Sequence, residues 1–161
     1  MEKIILTQIY LSGITGKSYI DSLKTKKGFT ESIINSKMDE LVKNKLITED
    51  KNALTELGRS SLRVVLAGGV FDIIHPGHIH TLNAAKILGD VLVVVVATDN
   101  TAVKMKKRQP LHSKEQRQEL VDSLSIVDLC LIGQEDDIFK TVNLVKPQII
   151  ALGYDQAHQE K

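Results

Sequence analysis

Several residue types are scarce in this chain, and each scarcity excludes something. There is one cysteine, Cys130, so no internal disulfide framework is available. Cys130 sits in an apolar, strand-like stretch and reads as a core residue rather than a reactive thiol. There is no tryptophan, and aromatic residues make up only 4% of the chain, so the core must be built mainly from aliphatic side chains. No apolar run approaches the roughly 20 residues that a membrane-spanning helix needs; the longest is Val91 to Ala97. The N-terminus lacks an apolar stretch followed by a small-residue cleavage site, so no signal peptide and a cytoplasmic setting are expected. Neither sign of charge dominates: 21 Lys+Arg stand against 20 Asp+Glu, so binding to nucleic acid would have to rest on a local feature.

The 161 residues suit one medium domain or two small ones. The pattern changes near residues 59–63, which predicts a first domain over 1–60 and a second over 61–161. The first contains no proline and carries ten basic and eight acidic residues. Ile4, Ile5, Ile9 and Leu11 mark one helix, and Tyr19, Ile20 and Leu23 a second. Thr30 is placed as an N-cap with Phe29 positioned to staple onto Ile34. The third helix runs to about Lys45, with Ile34, Met38, Leu41 and Val42 on one face. Leu46-Ile47-Thr48 and Ala53-Leu54-Thr55, separated by a polar turn, read as a small hairpin. Gly13-Ile14-Thr15-Gly16-Lys17-Ser18 looks like a phosphate loop, but position 11 is leucine where that motif requires glycine. It is set aside.

From Arg63 onward, apolar strands alternate with amphipathic helices. Strands are predicted at 64–67, 91–97, 127–132 and 148–152, and helices at about 78–88, 101–106, 113–124 and 137–145. Such alternation implies a parallel sheet covered on both faces. Ligands then sit beyond the carboxyl ends of the strands.

The stretch Gly68-Gly69-Val70-Phe71-Asp72-Ile73-Ile74-His75-Pro76-Gly77-His78 lies at that place, directly after the first strand and at the start of a helix. Glycines let the backbone approach a ligand closely. The free N–H groups and dipole of a helix start favour phosphate. Imidazole donors there would stabilise charge spreading over nucleotide phosphates in a nucleotidyl transfer. A metal site would need further ligands, and no Cys, His or carboxylate cluster supplies them.

Gly69-Val70-Phe71-Asp72 with His75-Pro76-Gly77-His78 resembles the signature of the HxGH nucleotidyltransferase superfamily. The stretch from about residue 63 to 156 is most similar to archaeal FAD synthases, through Lys104-Met105-Lys106, Pro110, Glu115-Gln116-Arg117 and Gly153-Tyr154-Asp155-Gln156. Class I aminoacyl-tRNA synthetases share HxGH, but Lys104-Met105-Lys106-Lys107 follows the histidines too soon to be their lysine signature. The resemblance implies a Rossmann-like parallel sheet and transfer of AMP from ATP to FMN, with Mg2+ or another divalent cation bridging the phosphates. It makes His75, His78 and Lys104 catalytic. It makes Gly68, Gly69, Val70, Phe71, Gly77, Asp99, Lys106, Arg117, Gly153 and Asp155 nucleotide-binding.

The alternatives are a cytidylyltransferase acting on a phosphorylated alcohol such as glycerol 3-phosphate, and a DNA-binding regulator that senses a nucleotide. The family pattern continues with a further helix, strand and Ser/Thr-rich helix start, whereas this sequence stops at Lys161. Residues 1–60 resemble a winged helix-turn-helix domain, through Leu41-Val42-Lys43-Asn44-Lys45-Leu46-Ile47 and Leu54-Thr55-Glu56-Leu57-Gly58. Such domains bind DNA or serve in dimerisation and docking. DNA and a second copy of the chain therefore stand beside the nucleotide and the phosphorylated acceptor as partners, and no membrane is expected.

Overall fold

In the computed structural model, residues 1–135 and 137–153 are described. The chain divides into two compact units, Met1–Leu62 and a second beginning at Arg63. The first unit is helical. Helix α1 (Glu2–Thr15) buries Ile5, Leu6, Ile9 and Tyr10. It ends at Gly16, whose φ of 70° closes the helix with a bond to Ser12 O. The segment resembling a phosphate loop is thus the last turn of a helix and its cap. Helix α2 (Tyr19–Lys27) starts at Ser18, and α3 (Glu31–Lys43) starts at Thr30, whose hydroxyl accepts from Ile33 N–H. These caps satisfy N–H groups that have no partner within the helix.

Ile34, Met38 and Leu41 form the buried face of α3, while Val42 is half-buried. The predicted hairpin reduces to a single antiparallel bridge between Ile47 and Leu54. The turn between them folds onto the Asp50 carboxylate, which accepts from Thr48 Oγ1 and Asn52 N–H. Helix α4 (Glu56–Ser60) follows, capped by Thr55.

The second unit is a four-stranded parallel sheet, β1 (Val64–Gly69), β2 (Val91–Val96), β3 (Leu129–Ile132) and β4 (Ile149–Ala151), in the order β3-β2-β1-β4. This matches the expected α/β class. Val91 to Val96 is an unbroken apolar run because a central parallel strand is buried on both faces. The helices are α5 (Pro76–Ile87), α6 (Asp99–Lys106), α7 (Lys114–Asp122) and α8 (Ile138–Val145). Val65, Ala67, Leu92, Val94 and Val96 pack with Leu82 and Ala85 of α5 and Val121 of α7 in one core cluster. Cys130 belongs to it, and burial pushes its thiol up to about 12, so it is inert.

Two helices begin earlier than periodicity suggests. Pro76 fits the first helical position of α5 because its missing N–H would have no partner there. Thr98 caps α6, so the helix takes in Asp99 and Asn100. β4 is an edge strand and is shorter than its apolar sequence predicts. Among the described residues, no helix is long and apolar enough to cross a membrane.

Candidate active site

β1 lies between β2 and β4, so its carboxyl end opens at the middle of the sheet rim. The chain leaves it through Gly69, Val70 and Phe71. Phe71 is buried and adopts a φ of 51°, unusual for a bulky residue. Its ring lies against Gly69, where an added Cβ would come within 2.9 Å of the ring, so glycine is required. The ring also lies near the His78 imidazole, 5.2 Å away between centroids.

The start of α5 is capped reciprocally by two histidines. His75 Nδ1 accepts from Gly77 N–H at 3.1 Å, and His78 Nδ1 accepts from His75 N–H at 3.3 Å. A Cβ on Gly77 would fall 2.8 Å from His75 Cε1, so the sharp turn between the rings also requires glycine. The rings pack with centroids 4.0 Å apart. Because each Nδ1 accepts a backbone proton, each neutral ring carries its own proton on Nε2. Two Nε2–H donors are therefore set side by side at a helix N-terminus.

Asp72 anchors the opposite wall. Its Oδ1 accepts from Leu111 N–H at 2.7 Å and His112 N–H at 3.4 Å, and Oδ2 forms an ion pair with Arg108 at 2.8 Å. His112 Nδ1 donates to the Asp72 carbonyl. Burial alone would raise the Asp72 carboxyl, but Arg108 and the two amides outweigh it and hold it below its ordinary range. Asp72 thus folds the segment after α6 back toward the histidines. The result is a cavity of about 520 Å3 whose lining includes His75, His78, Lys106, Arg108 and Gly153.

Arg117 differs from its expected place in the nucleotide site. Its side chain is fully buried. Nη1 donates to Val70 O and Ala97 O, Nε to His112 O, and Nη2 pairs with Asp99 Oδ1 at 2.7 Å. These bonds tie the ends of β1 and β2 to the segment before α7. Asp99 is held in the same cluster, so both residues build the walls of the site from behind.

Lys104 is exposed and lines neither this cavity nor a second one beside it; the Glu135 carboxyl is held low chiefly by hydrogen bonds with Asn100 and Thr98, with the Lys104 charge a minor contribution. Arg108, which the sequence presents only as part of a basic run, lines the histidine cavity. The signal for it was Asp72, a carboxylate buried beside the motif. Gly68, Gly69, Val70, Phe71 and Gly77 also line this cavity. Asp155 lies outside the described residues.

The cytidylyltransferase-like family model matches residues 66–160. A FAD synthase of Picrophilus torridus is 55% identical over 92 residues, which span 57% of this chain and 66% of that protein. A FAD synthase of Aciduliprofundum boonei is 50% identical over 97 residues, 60% of this chain and 64% of that protein. The chain therefore spans just under two thirds of the length of these curated relatives. A crystal structure titled as a lipopolysaccharide core biosynthesis protein from Thermoplasma volcanium superposes with a TM-score of 0.57 at 50% identity, over 60% of this chain and 78% of that one.

Proposed function

The chain belongs to the cytidylyltransferase-like family, and from that premise we propose that it transfers AMP from ATP to FMN, forming FAD and releasing pyrophosphate. The observation that carries this reading is the pair of Nε2–H donors on His75 and His78, fixed by their own capping bonds at the end of β1. Support for the substrates comes from the similarity to proteins named FAD synthase.

In the reaction, an oxygen of the FMN phosphate attacks the α-phosphorus of ATP. The bond from the α-phosphorus to the oxygen bridging it to the β-phosphorus breaks, and pyrophosphate leaves with the electron pair. Charge grows on the α- and β-phosphate oxygens. The two imidazole N–H groups and the positive end of the α5 dipole face that charge without having to reorganise. Lys106 and Arg108 supply positive charge from the opposite wall. No proton abstraction is required, because the attacking phosphate is already anionic.

Among the described residues no cluster of three or more His, Cys, Asp or Glu side chains is placed to hold a metal ion. Mg2+ is ordinarily held by substrate phosphates with only one or two carboxylates. This fits a cation that enters with ATP and neutralises phosphate charge. The test is to incubate the protein with ATP, CTP, FMN and glycerol 3-phosphate together and to identify products by mass spectrometry. FAD and pyrophosphate are expected; CDP-glycerol without FAD would replace the acceptor and the base but leave the transfer chemistry standing.

For Met1–Leu62 we infer a winged-helix module used in docking or self-association rather than in reading DNA. The observation favouring this is that Lys24 pairs with Glu31, Lys37 with Glu40 and Lys51 with Asp39, in a unit whose ten basic residues stand against eight acidic ones. Weak heparin retention with a shallow salt dependence is expected. A steep dependence, weakened by replacing Lys24, Lys26 and Lys27 with alanine, would assign the module to DNA.

A further inference from the structure

A second cavity of about 510 Å3 lies on the α8 side of the sheet. We propose that it receives the tricyclic ring of a flavin acceptor, with the acceptor's phosphate reaching the end of β1 beside the histidines. This inference rests on the FMN adenylyltransferase reading and assigns a place to the part of the acceptor that does not react.

Three observations carry it. The first is continuity. Ala67, Gly68, Gly69, Met105 and Ala151 line both cavities, so ligands entering from the two sides meet at the glycine pair. The second is chemistry. The first cavity gathers two histidines, a lysine and an arginine, which suit phosphates. The second contains none of these residue types. Its walls are aliphatic, from Leu66, Val95, Ile138, Val142, Ile150 and Leu152. Its polar groups are the Thr98, Thr101 and Thr141 hydroxyls, the Gln134 amide and the Glu135 and Asp137 carboxylates at the end of the sheet. Apolar walls with a few polar groups are what bind a flat heteroaromatic ring, and the volume lies within the roughly 300–1,000 Å3 of small-ligand sites. The third is exposure. Ile138 is 65% exposed, Ile150 54% and Leu152 38%, although all three face this cavity. A ring seated there would cover them.

The experiment is titration of FMN by its fluorescence, and of ATP by calorimetry, against the wild type, Val142→Trp and Ile138→Ser. Val142→Trp fills the cavity far from the histidines. Ile138→Ser removes apolar wall at an exposed position where folding does not depend on the side chain. FMN affinity should fall about tenfold or more in Val142→Trp and several-fold in Ile138→Ser, with ATP affinity within about twofold of wild type. Riboflavin, which lacks the phosphate, should lose affinity in the same variants.

FMN binding unchanged in both variants would overturn the assignment of this cavity while leaving the FAD synthase reading intact. Weakened ATP with unchanged FMN would also overturn it, by giving the cavity to the nucleobase. A wild type that binds ATP but no FMN would overturn the underlying reading and this inference with it.

Discussion

Helices α5 and α7 begin with the same device and use it differently. At α7, Ser113 Oγ accepts from Gln116 N–H, and Gln116 Oε1 accepts from Ser113 N–H. At α5, His75 and His78 take the corresponding roles through their Nδ1 atoms. A serine and a glutamine complete the box at a place that does not line the histidine cavity. A histidine has a second ring nitrogen on the far side, so the same capping bond leaves an N–H donor pointed away from the helix. The comparison teaches that the histidine pair both stops the chain fraying and fixes where its second ring nitrogens carry a proton. The cap fixes the tautomer, and the tautomer makes the donor.

Arg117 ties the ends of β1 and β2 to the segment before α7, and removing it should have the largest effect. Arg117→Ala leaves the Val70, Ala97 and His112 carbonyls without their donor. At about 1–3 kcal/mol for each unsatisfied buried group that does not find water, a loss of roughly 3–5 kcal/mol is expected. The Asp99 ion pair adds little because that carboxylate is 42% exposed. Chemical denaturation measures this, and a loss under about 1 kcal/mol would mean that the strand ends are not held to the segment before α7 through Arg117.

The comparison is sharpened by separating the cap from the donor. His75→Asp and His78→Glu retain acceptors that can cap a helix start but, ionised, carry no donor. Stability should change by less than about 1 kcal/mol, while turnover should fall about 10²–10³-fold, as when one preorganised donor is lost. Turnover close to wild type in both variants would remove the histidines from the chemistry. The counterpart at α7, Ser113→Ala, should cost about 1 kcal/mol of stability and leave turnover unchanged within a few-fold.

The smallest effect concerns Asp72. Its folded-state pKa lies below the ordinary 3.8, so its contribution to stability is complete above that value and disappears as pH falls through the lowered one. Asp72→Asn should therefore flatten the acid limb of the stability curve below about pH 4. It should also raise the KM for ATP, because Arg108 loses its anchor beside the cavity. An acid limb identical to wild type would show that Asp72 does not hold the 108–112 segment.

The parallel sheet, its helices and the place of the site were legible in the sequence. Unbroken β-branched runs such as Val91 to Val96 can only be buried on both faces, and glycines at a strand end followed by a helix start form a local pattern. Other features depended on residues far apart in sequence. Arg117 looks like a surface arginine on an amphipathic helix, and only the meeting of the ends of β1 and β2 supplies the carbonyls that bury it. Lys104, Lys106 and Arg108 are equivalent in a basic run. Their roles divide because α6 ends at Lys107, with φ 55°, and Asp72 draws the next residues toward the histidines.

By itself the sequence determined the α/β class and located the histidine motif, because each is written in spacing along one stretch of chain. The tertiary structure alone decided the histidine tautomers, the burial of Arg117, the presence of Lys106 and Arg108 but not Lys104 on the wall of the histidine cavity, and the more apolar cavity beside it. Those depend on which backbone groups and walls meet in space, and no single segment contains both partners.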